Sequence, residues 1–274
     1  MPTGHILQNE PIDQDLAMIL VGEKKAGKSE LASTAPAPVL FLDFDQRAGA
    51  LKNKKDVYAL TYADPGDINM LPTAFNELLT TMSLLEKSRK LKFLDKSFAS
   101  LPDNLEVKTI VFDSIQTIAN SARKYVMYGN DAISVKFQIA SKTYRVPKSF
   151  HAWGGEQAMV EGCIMQALAI PGLNVICTLH ECMEEAENST DDNPIYTGKI
   201  EVYPRRYNSL LVYFNEVWRV VRDYGRLPKV QIDPDGKFTM ASTALGVDSV
   251  KELSISAVLN EAKAKLALPA GVTR

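Results

Sequence analysis

The sequence predicts an α/β protein built on a mostly parallel sheet flanked by helices, with antiparallel strands added toward its C-terminal side. Three observations carry that prediction. Apolar, β-rich runs of strand length alternate with helical stretches through the first two thirds of the 274 residues. Those runs are hydrophobic throughout, as strands buried on both faces are. Past about residue 200 the alternation gives way to short strand-like runs and a tight turn.

Taken in order, Leu16–Val21 is the first strand, and Ser29-Glu30-Leu31-Ala32 opens a short helix that Pro36 ends. Val39–Phe44, Val57–Thr61, Thr109–Phe112 and Asn174–Leu179 are further buried strands. Helices near Met70–Lys87, Ser114–Met127 and Gly155–Ile170 each fall between two of them, as crossover connections require. Lys87–Leu105 is polar and mixed in sign, and reads as a surface excursion. Lys199–Tyr203, Asn215–Val221, Lys229–Asp233 and Lys237–Met240 read as short antiparallel strands, the last two joined by the turn Asp233-Pro234-Asp235-Gly236. Asp248–Leu266 is an amphipathic helix. The expected organisation is an N-terminal arm over 1–15, a core over 16–240 and a C-terminal helix and tail over 241–274.

Composition excludes several classes. With 46% hydrophobic and 23% charged residues and a net charge of −2, the chain is an ordinary globular protein without the overall basic charge of many nucleic-acid binders. No apolar run approaches the ~20 residues that span a bilayer, and the N-terminus lacks a signal peptide. The three cysteines, Cys163, Cys177 and Cys182, form no CxxC pair and no zinc pattern. A cytoplasmic location is the expectation, in a bacterial host if the chain is phage-encoded.

The most specific signal is the octapeptide Gly22-Glu23-Lys24-Lys25-Ala26-Gly27-Lys28-Ser29, which fits GxxxxGK[ST] at every fixed position. A chance match in a chain of this length is on the order of one in a hundred, and the strand before and helix after it are the context the motif needs. Backbone N–H groups of such a loop cradle anionic oxygens. Lys28 is expected on the β- and γ-phosphates of ATP and Ser29 on Mg²⁺, with Gly22 and Gly27 letting the backbone approach the phosphates. Lys24 and Lys25 either contact phosphate or face water.

Three later strands end in polar residues, and a parallel sheet gathers ligands at its carboxyl edge. Asp113 closes Thr109–Phe112, beside the phosphate loop, where it holds Mg²⁺ or serves only as a helix N-cap. Asp43 and Asp45 close the second strand on the same side. Asp45, further out, is placed to orient or deprotonate an attacking water, or to start a turn. His180 follows Asn174–Leu179 and is placed to report the nucleotide state.

The order of phosphate loop, Leu42-Asp43-Phe44-Asp45, Val111-Phe112-Asp113-Ser114 and Leu179-His180 resembles the RecA/RadA recombinase core, in particular the compact RecA-like ATPases of bacteriophages that act in single-strand annealing and recombination. The resemblance runs over about Leu16 to Met240. It implies water activation by Asp45, γ-phosphate sensing by His180, self-association into a filament or ring, and single-stranded DNA as partner, with a single-strand-binding protein as a further candidate. It places one DNA loop after the helix that follows Asp113. There Arg123, Lys124, Lys136, Lys142, Arg145 and Lys148 face one acid, Asp131, and aromatics including Tyr144, Phe150, His151 and Trp153 are interleaved. Lys136, Lys142, Tyr144, Arg145 and Lys148 are the candidate DNA contacts. A second loop, from Glu181 to Asp192, carries six acids with no nearby base and departs from the family pattern. A cation reaching the next subunit's phosphates is implied too. Candidates are Arg205, Arg206, Arg219, Arg222 and Lys229, with Arg205 and Arg206 favoured because they follow Pro204 in an exposed turn. The alternatives are a nucleotide-dependent switch that recruits a replication or recombination partner and, less well matched, a small-molecule kinase.

Overall fold

The structure, a computed structural model, describes residues 15–65, 71–88, 90–91, 101–102, 105–128, 134–139, 142–148, 151–185, 196–200, 211–222, 228–234, 241–245, 250 and 253–266. Its strands are β1 (Ala17–Gly22), β2 (Val39–Asp43), β3 (Val57–Thr61), β4 (Lys90–Leu91), β5 (Leu105–Glu106), β6 (Thr109–Asp113), β7 (Ser134–Ile139), β8 (Lys142–Pro147), β9 (Asn174–Glu185), β10 (Tyr196–Ile200), β11 (Glu216–Val221) and β12 (Lys229–Gln231). Its helices are α1 (Lys28–Ala32), α2 (Ala74–Ser88), α3 (Ile115–Met127), α4 (His151–Leu168) and α5 (Ile255–Leu266), with a 3-10 turn at Ala48–Leu51.

The main sheet runs β12-β11-β1-β9-β6-β2-β3, and β10 pairs with the outer part of β9. All pairings from β11 to β3 are parallel; β12 and β10 are antiparallel additions. The α/β class read from the sequence is the one observed. One strand differs: Glu216–Val221, expected as part of an antiparallel group, pairs parallel to β1, with Met18 opposite Glu216. Val217, Trp218 and Val220 are all buried, so residues on both faces of the strand are covered, as in a parallel strand. Lys237–Met240, Arg205 and Arg206 lie outside the described residues.

Both faces of the sheet are covered. Along β1, Ile19 and Val21 join a core with Phe75 and Leu78 of α2, Ile118 of α3 and Ile164 of α4. Met18 and Leu20 point into a second core with Leu31 and Ala32 of α1 and Ile255, Val258 and Ala262 of α5. That α5 docks on the core is reinforced at its start: Ile255 N donates to Thr34 Oγ1 (2.8 Å) and Ser256 Oγ to the Thr34 carbonyl (2.7 Å). The buried Glu216 carboxylate accepts from the Trp218 indole and from Ala244 N, both at 2.7 Å, which ties the 241–245 segment to β11.

The segment expected as a DNA loop contains a hairpin. Among the described residues β7 and β8 pair only with each other, with Lys136 opposite Arg145 and Phe137 opposite Tyr144 in register. Lys148 follows, exposed. Two of the six cations of this region belong elsewhere. Arg123 donates to the buried Glu156 from Nε (2.6 Å) and Nη2 (3.2 Å), clamping α3 to α4, and Lys124 lies 3.3 Å from Asp64. Arg123 thus reaches a buried acid, whereas Lys124 stays exposed and its pair is a surface one. The acidic loop is corrected likewise: β9 continues through Glu185, so Glu181, Glu184 and Glu185 are strand residues.

Candidate nucleotide site

The site forms where β1, β9, β6 and β2 end together. Because β9 lies between the phosphate-loop strand and β6, Gly22 pairs in register with His180, while across the next strands Asp43 pairs with Asp113. Local patterns reveal the strands but not their lateral order, and that order is what puts His180 between Lys28 and Asp45.

The phosphate loop closes with Ala26 N on the Glu23 carbonyl (3.2 Å) and with Gly27 as the N-cap of α1 at φ 105°. That left-handed geometry favours glycine. Gly27, as N-cap, brings no side chain of its own over the first N–H groups of α1, the kind of helix start that receives an anion. Gly22 is fixed by a different cause from the expected one. A Cβ there would lie 2.3 Å from the Val220 carbonyl oxygen of β11, so packing between strands demands glycine. Glu23, Lys24 and Lys25 are exposed; Lys25, at φ 68°, lines the cleft.

Lys28 is buried and turned back over the loop. Its Nζ donates to the carbonyls of Gly22 (2.8 Å) and Glu23 (2.9 Å) and to His180 Nδ1 (3.2 Å). Burial brings this ammonium down to about 8, against the pull of Asp113, Asp45 and Glu181. On the other side of the ring, His180 Nε2 faces Asp45 Oδ2 at 3.7 Å. Asp45 Oδ1 also accepts from Ser114 Oγ (3.1 Å) and Thr117 Oγ1. Burial by itself would raise this carboxyl; the His180 ring and the Thr117 and Ser114 hydroxyls outweigh it and bring it down to about 2.

Asp113 is 7% exposed and accepts from Ser29 Oγ at Oδ2 (2.8 Å) and from Thr178 Oγ1 at Oδ1. Burial pushes its carboxyl up; the Thr178 and Ser29 hydroxyls oppose that, and the neighbouring Asp45 and Asp43 add to it. Asp43 takes no part facing the cleft. It accepts from Arg47 N (3.1 Å) and Ala48 N (2.8 Å) and so caps the 3-10 turn. A cleft of about 550 Å³ opens over these groups, bounded by Lys28, Ser29, Asp45, Arg47, Asp113 and His180 among others, a volume in the range of small-molecule sites.

The family profile of the AAA domain matches residues 14–225, a span that includes every residue of this constellation. The chain belongs to the AAA domain family. No curated protein matches the sequence. Among solved structures, the pCW3 conjugation coupling protein TcpA, in its monomer form with ATPγS, is similar at 15% identity with a TM-score of 0.27. The match covers 61% of this chain and 43% of that one, and carries no further argument.

The AAA match supports an ATPase domain, and Gly22–Ser29 within it has the sequence pattern and glycine geometry of a phosphate loop. The residues present fit Mg²⁺. Ser29 and Asp113 bring a hydroxyl and a carboxylate oxygen together, and Asp113 is a buried acid among acids that a cation would stabilise. Among the described residues no group of three or more His, Cys, Asp or Glu side chains forms a cage.

Of the residues named from sequence, Lys28, Ser29, Asp45, Asp113 and His180 meet in the AAA domain's cleft. Arg205 and Arg206 lie outside the described residues, and Arg219 is committed within the chain. Its guanidinium donates to the Glu181 carboxylate from Nη2 (2.6 Å) and Nε (3.0 Å), and from Nη1 to Gln231 (3.2 Å). Glu181 therefore has its base, supplied by β11. Sequence reasoning missed Thr117, Thr178 and Ser114 as ligands of the two acids.

Proposed function

We propose that this AAA domain is a RecA-like ATPase that hydrolyses Mg²⁺-bound ATP and acts on single-stranded DNA, in recombination or annealing of the phage type. The observation that supports it is the grouping of Lys28, Asp45 and His180 at one cleft. The lysine binds terminal phosphates, the carboxylate orients the attacking water, and the imidazole lies between them where it responds to the γ-phosphate. Ser29 and Asp113 hold Mg²⁺, which neutralises charge on the phosphates when bound.

Of this chain's own groups, Lys28 must leave the Gly22 and Glu23 carbonyls to reach phosphate. That movement also frees His180 Nδ1. Asp45, held ionised by two hydroxyl donors and the nearby His180 ring, is a weak base; it aligns water more than it removes the proton. The DNA surface is the β7–β8 hairpin with Lys136, Lys142, Tyr144 and Arg145, and Lys148 beside it. Assembly into a filament or ring, with Arg205 or Arg206 acting in trans, belongs to the same reading, as does DNA stimulation of turnover.

A second reading is a nucleotide-dependent switch that recruits a replication or recombination partner. The engagement of Arg123 and Lys124 by Glu156 and Asp64 favours it, since it thins the basic surface. Turnover measured with and without single-stranded DNA separates the two. Stimulation together with salt-sensitive binding supports the DNA reading; unchanged turnover and no binding leave the switch.

A further inference from the structure

Arg47 stands in the turn that follows β2, two residues past Asp45. Three features fix its backbone there. The buried Asp43 carboxylate accepts from Arg47 N and Ala48 N, Gln46 takes a left-handed φ of 57°, and the 3-10 turn begins at Ala48. The Arg47 side chain is exposed and lines the same cleft as Lys28, Ser29, Asp113 and His180. Its positive charge is felt at Lys28, where it adds to the lowering caused by burial.

The other arginines with partners described above are bound to acids: Arg123 to Glu156 and Arg219 to Glu181, each through two nitrogens. Arg47 has no hydrogen-bonded or ion-paired side-chain partner among the described residues. The cleft is lined by five cations, Lys25, Lys28, Arg47, Lys54 and Arg222, and three carboxylates, Glu30, Asp45 and Asp113, five less three leaving +2. Lys54 and Glu30 cancel at 2.6 Å. Asp45 and Asp113 are occupied by hydroxyls and His180. A planar guanidinium in such a place, on a fixed turn and without an anion, matches a phosphate through its paired donors.

We infer that Arg47 is a phosphate ligand supplied in cis, which holds the terminal phosphate of the nucleotide together with Lys28. The inference rests on the reading of the cleft as an ATP site and goes beyond it. It selects the terminal phosphate because Arg47 shares a turn with Asp45, and Asp45 and Lys28 meet at His180. A cation in cis also gives the single chain positive charge at the γ-phosphate before any subunit contact forms.

The test is calorimetric binding of ATPγS and of ADP, each with Mg²⁺, to the parent protein, Arg47→Ala, Arg47→Lys and the control Lys52→Ala, whose lysine is exposed and outside the cleft. Loss of one charged hydrogen-bonding group predicts ATPγS binding weaker by about ten- to a hundred-fold in Arg47→Ala. ADP binding stays within about two-fold, Arg47→Lys recovers part of the loss, and Lys52→Ala matches the parent. Equal weakening of both nucleotides, as stacking on the base would give, overturns the inference, and so does no weakening. If the parent protein binds neither nucleotide, the ATP-site reading falls and takes the inference with it. If it binds both and Arg47→Ala is indistinguishable, the inference alone falls.

Discussion

At the scale of single residues, Lys28 combines two opposing demands. It must be charged to bind phosphate, yet without one it is buried against carbonyls and an imidazole. Lys28→Ala is expected to reduce ATP hydrolysis by at least about a hundred-fold, as loss of a pre-aimed charge donor does; steady-state turnover checks it. The same residue predicts a pH effect on stability. Its folded value is about 8 against 10.5 unfolded, so the unfolded chain holds a proton that the native state has released between those values. Stability of the parent relative to Lys28→Met therefore rises across pH 8 to 10.5, which paired thermal melts will read. Asp45 follows the other rule, that of a depressed acid. Its folded value of about 2 lies below the ordinary 3.8, so it stabilises above pH 4 and the benefit disappears as pH falls through about 2. The difference amounts to about 2 kcal/mol. Asp45→Asn should lose that acid dependence in denaturation experiments, and turnover of the parent should show no acid limb from Asp45 above about pH 4.

At the scale of elements, the phosphate loop is held from β11 as much as from its own strand. Gly22→Ala drives a methyl group into the Val220 carbonyl, so it should lower the melting temperature as well as nucleotide affinity. A motif-based view predicts only the affinity loss. The Glu181–Arg219 pair crosses the end of β1, with side chains 2% and 13% exposed. Arg219→Ala leaves a buried carboxylate alone and is expected to destabilise by about 3 kcal/mol in chemical denaturation, with Glu181→Gln in the same chain recovering part of it. These elements also show what was legible. Strands β1, β2, β3 and β6 were readable because their apolar runs are continuous and end at polar residues. The outer half of β9 was not, since Glu181, Glu184 and Glu185 read as solvent-facing acids. Glu181 is satisfied by Arg219, a pairing that depends on β11 lying next to β1. Lateral strand order is set by tertiary packing, and local patterns do not encode it.

At the scale of the whole molecule, the α/β class and the cleft residues Lys28, Ser29, Asp45, Asp113 and His180 follow from order along the chain. Arg47 and the hydroxyls of Ser114, Thr117 and Thr178 do not: Thr117 lies within α3 and Thr178 within β9, and their reach to Asp45 and Asp113 depends on how neighbouring elements pack. Of the cations expected along the DNA loop, Arg123 pairs with the buried Glu156 and the exposed Lys124 with Asp64. Charge reversal at Lys142, Arg145 and Lys148 is expected to weaken single-stranded DNA binding about equally across sequences. It should also flatten the slope of log affinity against log salt by about 2, at ~0.7 for each phosphate that is no longer neutralised; fluorescence anisotropy over a salt series measures both. Strand β9 links the cleft to β10. This strand runs from the centre of the main sheet, past the site at His180, and on to Glu185 where β10 is its partner. Its outer part is a lever of about 16 Å, five residues at ~3.3 Å each. A tilt of about 5° with its fulcrum at His180 sweeps the tip by roughly 1.4 Å, so a histidine adjustment too small to alter the cleft becomes a displacement of atomic size at the far end of the strand.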